Sequence, residues 1–318
     1  MAERPVEPTV ESMASDWPWP LQRRVWLATR PQFLPASVLP VAVGTAWGAR
    51  LAGTLDVTAL MLALIAVALV HAGSNVLNDV GDELCGTDRC NADRIYPFSG
   101  GSRFIQNGIF SVMQMSRLGI ALLAAAMAVG LLLSGLYGWP VLLFGVAGIA
   151  LGSLYSVPPV QLAGRGLGEL VVATGFGPLP VAGAAWLQSG QFDPAWLVLS
   201  APVACWVAAI LLVNEVPDIA ADRMAGKRTL PVRLGVRRTA WLFVALQLAG
   251  ALLLAGWQLD QGMRAGSLLW PLLLAAGGLR AASGITGGRQ ALTVSIRMTL
   301  AVHTAGCAGL IVMALQPG

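Results

Sequence analysis

The sequence predicts an all-α membrane protein, a polytopic bundle of nine transmembrane helices with a cap on its cytoplasmic side. Hydrophobic residues make up 56% of the 318 positions and charged residues only 11%, whereas a soluble chain carries about 25% charge. Mean hydropathy is +0.69. Predominantly apolar stretches of about 20 residues, the length a bilayer requires, recur along the chain. None shows the period-two alternation of a barrel strand.

Residues 1–20 read as a disordered arm. Glu3, Glu7 and Glu11, with no early apolar core, do not make a secretory signal. Trp17, Trp19 and Trp26 with Arg23 and Arg24 read as an interfacial anchor. One transmembrane domain is expected over residues 21–318, with spans near 33–53, 57–77, 117–136, 138–157, 167–187, 195–213, 238–258, 266–283 and 296–315. The eighth is crowded at its end by Gly277, Gly278 and Arg280. The longest loop follows the second span, from Asp79 to Arg117, and is punctuated by Pro97 and Gly100-Gly101. Aromatic and apolar residues spread through it predict an ordered cap. Between the fourth and fifth spans, Gly164-Arg165-Gly166-Leu167-Gly168 reads as a tight interhelical turn. Arg165 and Glu169 there form either an interface ion pair or acceptor-binding groups.

The basic residues orient these spans. Eighteen of the 20 Lys and Arg residues fall on the N-terminal arm or around the loops after the second, fourth, sixth and eighth spans, and only Arg50 and Arg264 fall on the other side. The positive-inside rule then places the N-terminus in the cytoplasm of a multi-pass inner-membrane protein. The net charge of +4 expresses that asymmetry and gives no reason to expect nucleic acid. Cys205 and Cys307 lie in spans as small core residues. Cys85 and Cys90 lack the second pair that a zinc site needs. His303 and His71 read as packing or helix–helix hydrogen-bonding residues, His71 one turn before Asn75 and near any cavity there.

Two acidic runs end the second and sixth spans on the cytoplasmic side. Asn75, Asp79 and Asp82 fall at i, i+4 and i+7; Asn214, Asp218 and Asp222 fall at i, i+4 and i+8. Each set is expected to line one face of a helix. Solvated acids capping helix ends would account for Asp79 and Asp82 alone. Two Asn/Asp faces on one side, each followed by a Lys/Arg loop, point to function, because carboxylates at membrane depth are costly to keep. Hard oxygen ligands from Asp79, Asp82, Asp218 and Asp222 suit Mg²⁺ holding a diphosphate. Asn75 and Asn214 add neutral oxygen one turn deeper, Asn78 sits beside them, and Arg103, Lys227 and Arg228 can neutralise diphosphate oxygens. Gln106, in the same loop as Arg103, is a further candidate substrate contact. The shared facing of the two runs hints at a parallel internal repeat. Gly226-Lys-Arg-Thr229 is no P-loop: Ala221 stands where the first glycine belongs and no strand precedes it.

The Asn78–Asp82 run, N-D-x-x-D, and the Asp218–Asp222 run, D-x-x-x-D, resemble the two aspartate-rich motifs of the UbiA superfamily of intramembrane prenyltransferases. Arg30-Pro-Gln-Phe-Leu-Pro-Ala-Ser-Val-Leu-Pro40 is similar to that family's approach into its first helix, and the nine spans agree. The resemblance implies an all-α bundle around a lipid-open cavity, with Mg²⁺, polyprenyl diphosphate and an aromatic acceptor. The first motif departs from the family's spacing, because the next acid in polar context after Asp82 is Asp88, which becomes the candidate third metal ligand. Tyr155, a candidate substrate contact, is followed by Pro158-Pro159, without the lysine four positions on that 4-hydroxybenzoate enzymes tend to carry. With Gly166-Leu-Gly-Glu169-Leu170, Gly100-Gly-Ser-Arg103 and Asn214-Glu-Val-Pro-Asp218, this stretch is more similar to the 1,4-dihydroxy-2-naphthoate prenyltransferases of menaquinone synthesis. The alternative acceptors are 4-hydroxybenzoate, haem or a glycerophosphate. A secondary transporter would need ionisable groups at the bilayer midplane, whereas these acids gather at one face.

Overall fold

A computed structural model describes residues 7–9, 21–156, 159–263 and 265–316. Most of the expected N-terminal arm, including Trp17 and Trp19, lies outside them. Helices follow in the order α1 (Leu21–Ala28), α2 (Leu34–Ala52), α3 (Val57–Leu84), α4 (Thr87–Cys90), α5 (Val112–Tyr137), α6 (Pro140–Ser156), α7 (Gly168–Phe176), α8 (Pro178–Ser189), α9 (Ala195–Asn214), α10 (Ile219–Met224), α11 (Leu230–Asp260), α12 (Leu269–Ala282) and α13 (Arg289–Ala314). The described residues contain no strand. Successive long helices pack on one another, and α13 returns against α2, so the bundle closes into a ring.

Seven helical segments among the described residues are long and apolar enough to cross a membrane. The expected first and fourth spans fall on α2 and α6, which are not among them. α6 has only 17 residues. In α2, hydropathy gives way to packing. A Cβ at Gly44 would lie 2.2 Å from the Val181 carbonyl oxygen, and one at Gly48 would lie 2.3 Å from that of Ala185. The two glycines therefore let α2 and α8 touch backbone to backbone, the usual way for helices to associate where no hydrophobic gain separates protein from lipid. Several helices also start earlier than their apolar stretches do. α5 begins at Val112 behind a capping box from Ser111 and Gln114, which satisfies the first orphan N–H groups reciprocally. α11 begins at Leu230 and kinks at Gly235.

The second acidic set departs from the single helical face expected for it. α9 ends at Asn214, residues 215–218 form turns, and Asp218 stands just before the separate short helix α10 without a side-chain cap bond to it. Pro217 supplies the reason: it has no N–H for the helical ladder and disfavours helical geometry at the residue before it. The first set does ride one continuous helix, α3. The loop between α3 and α5 is ordered, with Ile95 and Phe104 buried, and it reaches both acidic sets.

Candidate active site

A cavity of about 370 Å³ opens inside the bundle, lined by α2, α3 and α5–α9 and by the polar loops at one end. Its walls run from Asp82, Asp218 and Asp222 to Ala63, Leu133 and Val141. On α3 alone, the 19 steps from Ala63 to Asp82 rise about 28 Å at 1.5 Å per residue. The acids and cations collect at one end, and the far wall is aliphatic.

At the polar end α3 presents Asn75, Asn78 and Asp82 to the cavity. Asn78 Nδ2 donates to Ser156 Oγ at 3.2 Å. Asn75 Nδ2 lies 3.1 Å from His71 Nε2, while His71 Nδ1 meets Ser37 Oγ at 2.6 Å. Asp79, on the adjacent strip of the helix, is buried behind the wall. Arg30 Nη2 approaches it at 2.5 Å, and the Ser102 hydroxyl and N–H both donate to it. Asp79 therefore ties the start of α2 to the cap loop. Asp88, on α4, is buried beside it. Burial, with Asp82 and Asp79 nearby, pushes its carboxyl up to about 8. Arg103 donates to the Asp88 carbonyl, and Gln106 Nε2 lies 3.0 Å from Glu83 and 3.3 Å from the Asp88 carboxyl. The cap loop closes on these groups through Gly101, at φ 76°, where a Cβ would sit 2.6 Å from Asp88 Oδ2 and 3.1 Å from Asp79 Oδ1. Only glycine accepts both that conformation and that approach.

The second set faces the first. Asp218 accepts from Asn91 Nδ2 at 2.7 Å and from the Gly100 N–H at 3.3 Å, so the same loop bridges both sets. Burial raises the Asp218 carboxyl, and those donors oppose the shift. Burial also pushes Asp222 up to about 7, against the pull of Lys227. Lys227 joins the sets directly, contacting Asp82 with its ammonium 3.7 Å from Asp222. Burial alone would lower its pKa, but the two carboxylates outweigh it and raise it. The Asn214 Oδ1 is buried without a donor. Tyr155 lines the cavity next to Glu215.

Of the expected site residues, Asp79, Arg103, Gln106, Arg165 and Arg228 do not line the cavity, and Arg165 and Arg228 are exposed. Arg165 Nη2 donates to the Pro159 carbonyl, Arg233 donates to the carbonyls of both Arg165 and Arg228, and the Arg228 N–H donates to Gly164. These contacts stitch the turn before α7 to the loop before α11. No ion pair joins Arg165 to Glu169. Sequence reasoning passed over several groups near the cavity. Arg30 was legible only as part of the proline-rich approach to the first helix, and nothing in sequence spacing marks Asn91, Ser102 or Glu215. Glu7 accepts from Arg94 at 2.9–3.1 Å and from Asn107 at 3.0 Å, tying an N-terminal segment to the cap loop.

Residues 37–305 match the profile of the UbiA prenyltransferase family. The chain is 34% identical over 224 residues to a protein of Escherichia coli K12 named 1,4-dihydroxy-2-naphthoate octaprenyltransferase, covering 67% of this chain and 69% of that one. It is 33% identical over 273 residues to a protein of the same name from Mycobacterium tuberculosis, covering 85% and 89% respectively. Its fold is similar to that of a UbiA homologue from Archaeoglobus fulgidus solved with DMAPP and Mg²⁺, with TM-score 0.64 at 20% identity over 90% of this chain and 98% of that one.

Proposed function

The chain belongs to the UbiA prenyltransferase family, and from that premise we propose that it transfers a polyprenyl group from polyprenyl diphosphate to 1,4-dihydroxy-2-naphthoate in menaquinone synthesis. The observation that carries the reading is a long apolar cavity with all its charge at one end. The names of the two bacterial relatives support the naphthoate acceptor. Adding α2 and α6 to the seven segments gives nine spans, and the distribution of basic residues supports a cytoplasmic polar end under a cytoplasmic cap, in the inner membrane.

The donor set fits a hard divalent cation. Among the described residues no three acidic side chains converge on one point, so diphosphate and water oxygens would complete a shell, as Mg²⁺ usually requires. Burial raises the carboxyls of Asp88 and Asp222, to about 8 and about 7, as expected of buried acids short of positive charge. Asp82, Asp88, Asp218 and Asp222, which line the cavity, would hold Mg²⁺, which when bound offsets negative charge on the diphosphate, while Asp79, engaged by Arg30 and Ser102, stands behind them.

Lys227 and Arg30 stand at the same end of the cavity, where charge grows on the diphosphate as the allylic C–O bond breaks. Cations fixed there act on the transition state more than on the ground state. Asn75, Asn78 and Asn214 offer amide groups that need no counter-charge. The aliphatic wall excludes water that would otherwise capture the allylic cation. The ring carbon of the acceptor then forms the new C–C bond, and the acceptor carboxylate departs as CO₂. With Arg165 and Arg228 outside the cavity, Arg30 and Lys227 are the Arg and Lys side chains that line it among the described residues.

Purified protein should convert 1,4-dihydroxy-2-naphthoate and a long-chain polyprenyl diphosphate to the prenylated naphthoquinol in the presence of Mg²⁺. With 4-hydroxybenzoate in the same reaction, the ratio of kcat/KM values measures discrimination. A ratio favouring 4-hydroxybenzoate would reverse the acceptor assignment, and no transfer to either would refute it.

A further inference from the structure

Glu215 lines the cavity one turn before Asp218, on the turn that ends α9, and its chemistry is not used above. It is 9% exposed, and Glu169, at the start of α7, is 7% exposed. α7 packs against α9, which brings the two carboxyls to the same contact. No hydrogen bond is made to either oxygen of Glu169 or to Oε2 of Glu215. Arg165, the nearest basic residue in sequence to Glu169, turns away to Pro159. A purely structural carboxyl would be expected to have donors, since a buried acceptor left unsatisfied is costly. Two adjacent buried carboxyls without a cation are a still more expensive arrangement.

The surroundings indicate what completes it. Glu215 shares the cavity wall with Tyr155 and with Leu211 and Val172, and the Tyr155 ring packs near Gly168 at the base of α7. An aromatic ring entering here meets an aromatic and aliphatic wall on one side and an acceptor oxygen on the other. Asp82, Asp218 and Asp222, which already engage Lys227, Asn91 or Gly100, lie toward the diphosphate end. The missing partner of Glu215 is a neutral hydrogen-bond donor on a flat ring.

We propose that Glu215, braced by Glu169, binds the ring hydroxyl of the aromatic acceptor, so that the site selects hydroxyarenes. The proposal rests on the prenyltransferase reading. The acceptor O–H donates to the Glu215 carboxyl oxygen that the protein leaves without a donor. Holding the hydroxyl in this way raises electron density on the ring carbons that attack the allylic cation. Glu169 fixes the orientation of Glu215 and does not touch the acceptor.

The test compares 1,4-dihydroxy-2-naphthoate with its mono-O-methyl ethers in wild-type protein and in Glu215→Leu, Glu215→Gln and Glu169→Gln. Acceptor-independent hydrolysis of a prenyl diphosphate is the control for the fold and the diphosphate site. Wild type should prefer the free hydroxyl over at least one ether. Glu215→Leu should lower that preference by about 2- to 12-fold, the worth of a neutral hydrogen bond, with hydrolysis within about threefold of wild type. Glu215→Gln keeps an acceptor oxygen and can donate to Glu169, so the preference and the acceptor KM should both stay near wild type. Glu169→Gln should raise acceptor KM more than it lowers kcat. An unchanged preference in Glu215→Leu, or a preference lost in Glu215→Gln despite its acceptor oxygen, overturns the proposal while leaving the prenyltransferase reading intact. If Glu215→Leu loses hydrolysis as well, the Glu215→Gln result decides. No transfer by wild type to any acceptor overturns both.

Discussion

Lys227 is the cation that touches both acidic sets, and replacing it with methionine isolates its charge at nearly constant volume. Its side chain is 10% exposed, between Asp82 at 15% and Asp222 at 6%. At the 3.7 Å separation from Asp222 and an effective dielectric near 20, one such contact is worth about 4 kcal/mol of gross attraction. Desolvation cancels part of it, and losing one member of a buried pair costs about 3–5 kcal/mol. For catalysis, removing one preorganised charge where negative charge develops typically costs about 2.7–4 kcal/mol, or roughly 10²–10³ in rate. Lys227→Met should therefore lower kcat by that factor at saturating prenyl diphosphate, acceptor and Mg²⁺, measured by product formation in detergent or nanodiscs. Lys227→Arg should recover part of the loss because it keeps the charge but changes its geometry. Raising Mg²⁺ should restore thermal stability of Lys227→Met more than its rate. A kcat within threefold of wild type for Lys227→Met would refute the placement of the leaving diphosphate between the two sets.

Three further outcomes follow from the same geometry. Asp88 and Asp222 carry pKa values of about 8 and 7 against an ordinary 3.8, so the folded state binds their protons more tightly than the unfolded chain does. Their contribution to stability is full below about pH 4 and lost as pH rises through 7 to 8. The Tm of the metal-free protein should fall between about pH 5.5 and 8.5, and Mg²⁺ binding near pH 6.5 should release protons; a Tm that climbs across that window counts against the buried acids. Gly101→Ala forces a left-handed residue and a Cβ 2.6 Å from Asp88 Oδ2, costing about 1–3 kcal/mol and raising the KM for prenyl diphosphate, and unchanged kinetics would show that the cap loop does not shape the site. With the four native cysteines replaced, cysteines at the exposed positions Arg228 and Asp260 should label from opposite sides of the membrane, and labelling from one side would break the nine-span topology.

The sequence by itself determined the class of molecule and the chemistry at its polar end. Composition and the lengths of apolar runs sufficed for an all-helical membrane bundle, because the bilayer imposes element length directly and requires backbone groups to be satisfied within each helix. Asp82, Asp218, Asp222 and Lys227 were legible because charge next to hydrocarbon is costly and therefore conspicuous. Only the tertiary structure decided which of the marked residues meet. Pro217 splits the second acidic set between a turn and α10, so its spacing of four is not a helical face. Asp79, a strong sequence candidate, turns from the cavity to bind Arg30 and Ser102, while the Arg165 side chain is spent on the Pro159 carbonyl and Arg228 is exposed. Glu215 and Glu169 are 46 positions apart, and no local periodicity pairs them; they meet because α7 packs against α9. Local patterns report what a side chain costs where it stands, whereas the contacts that offset that cost are made between elements, and those depend on how the helices pack.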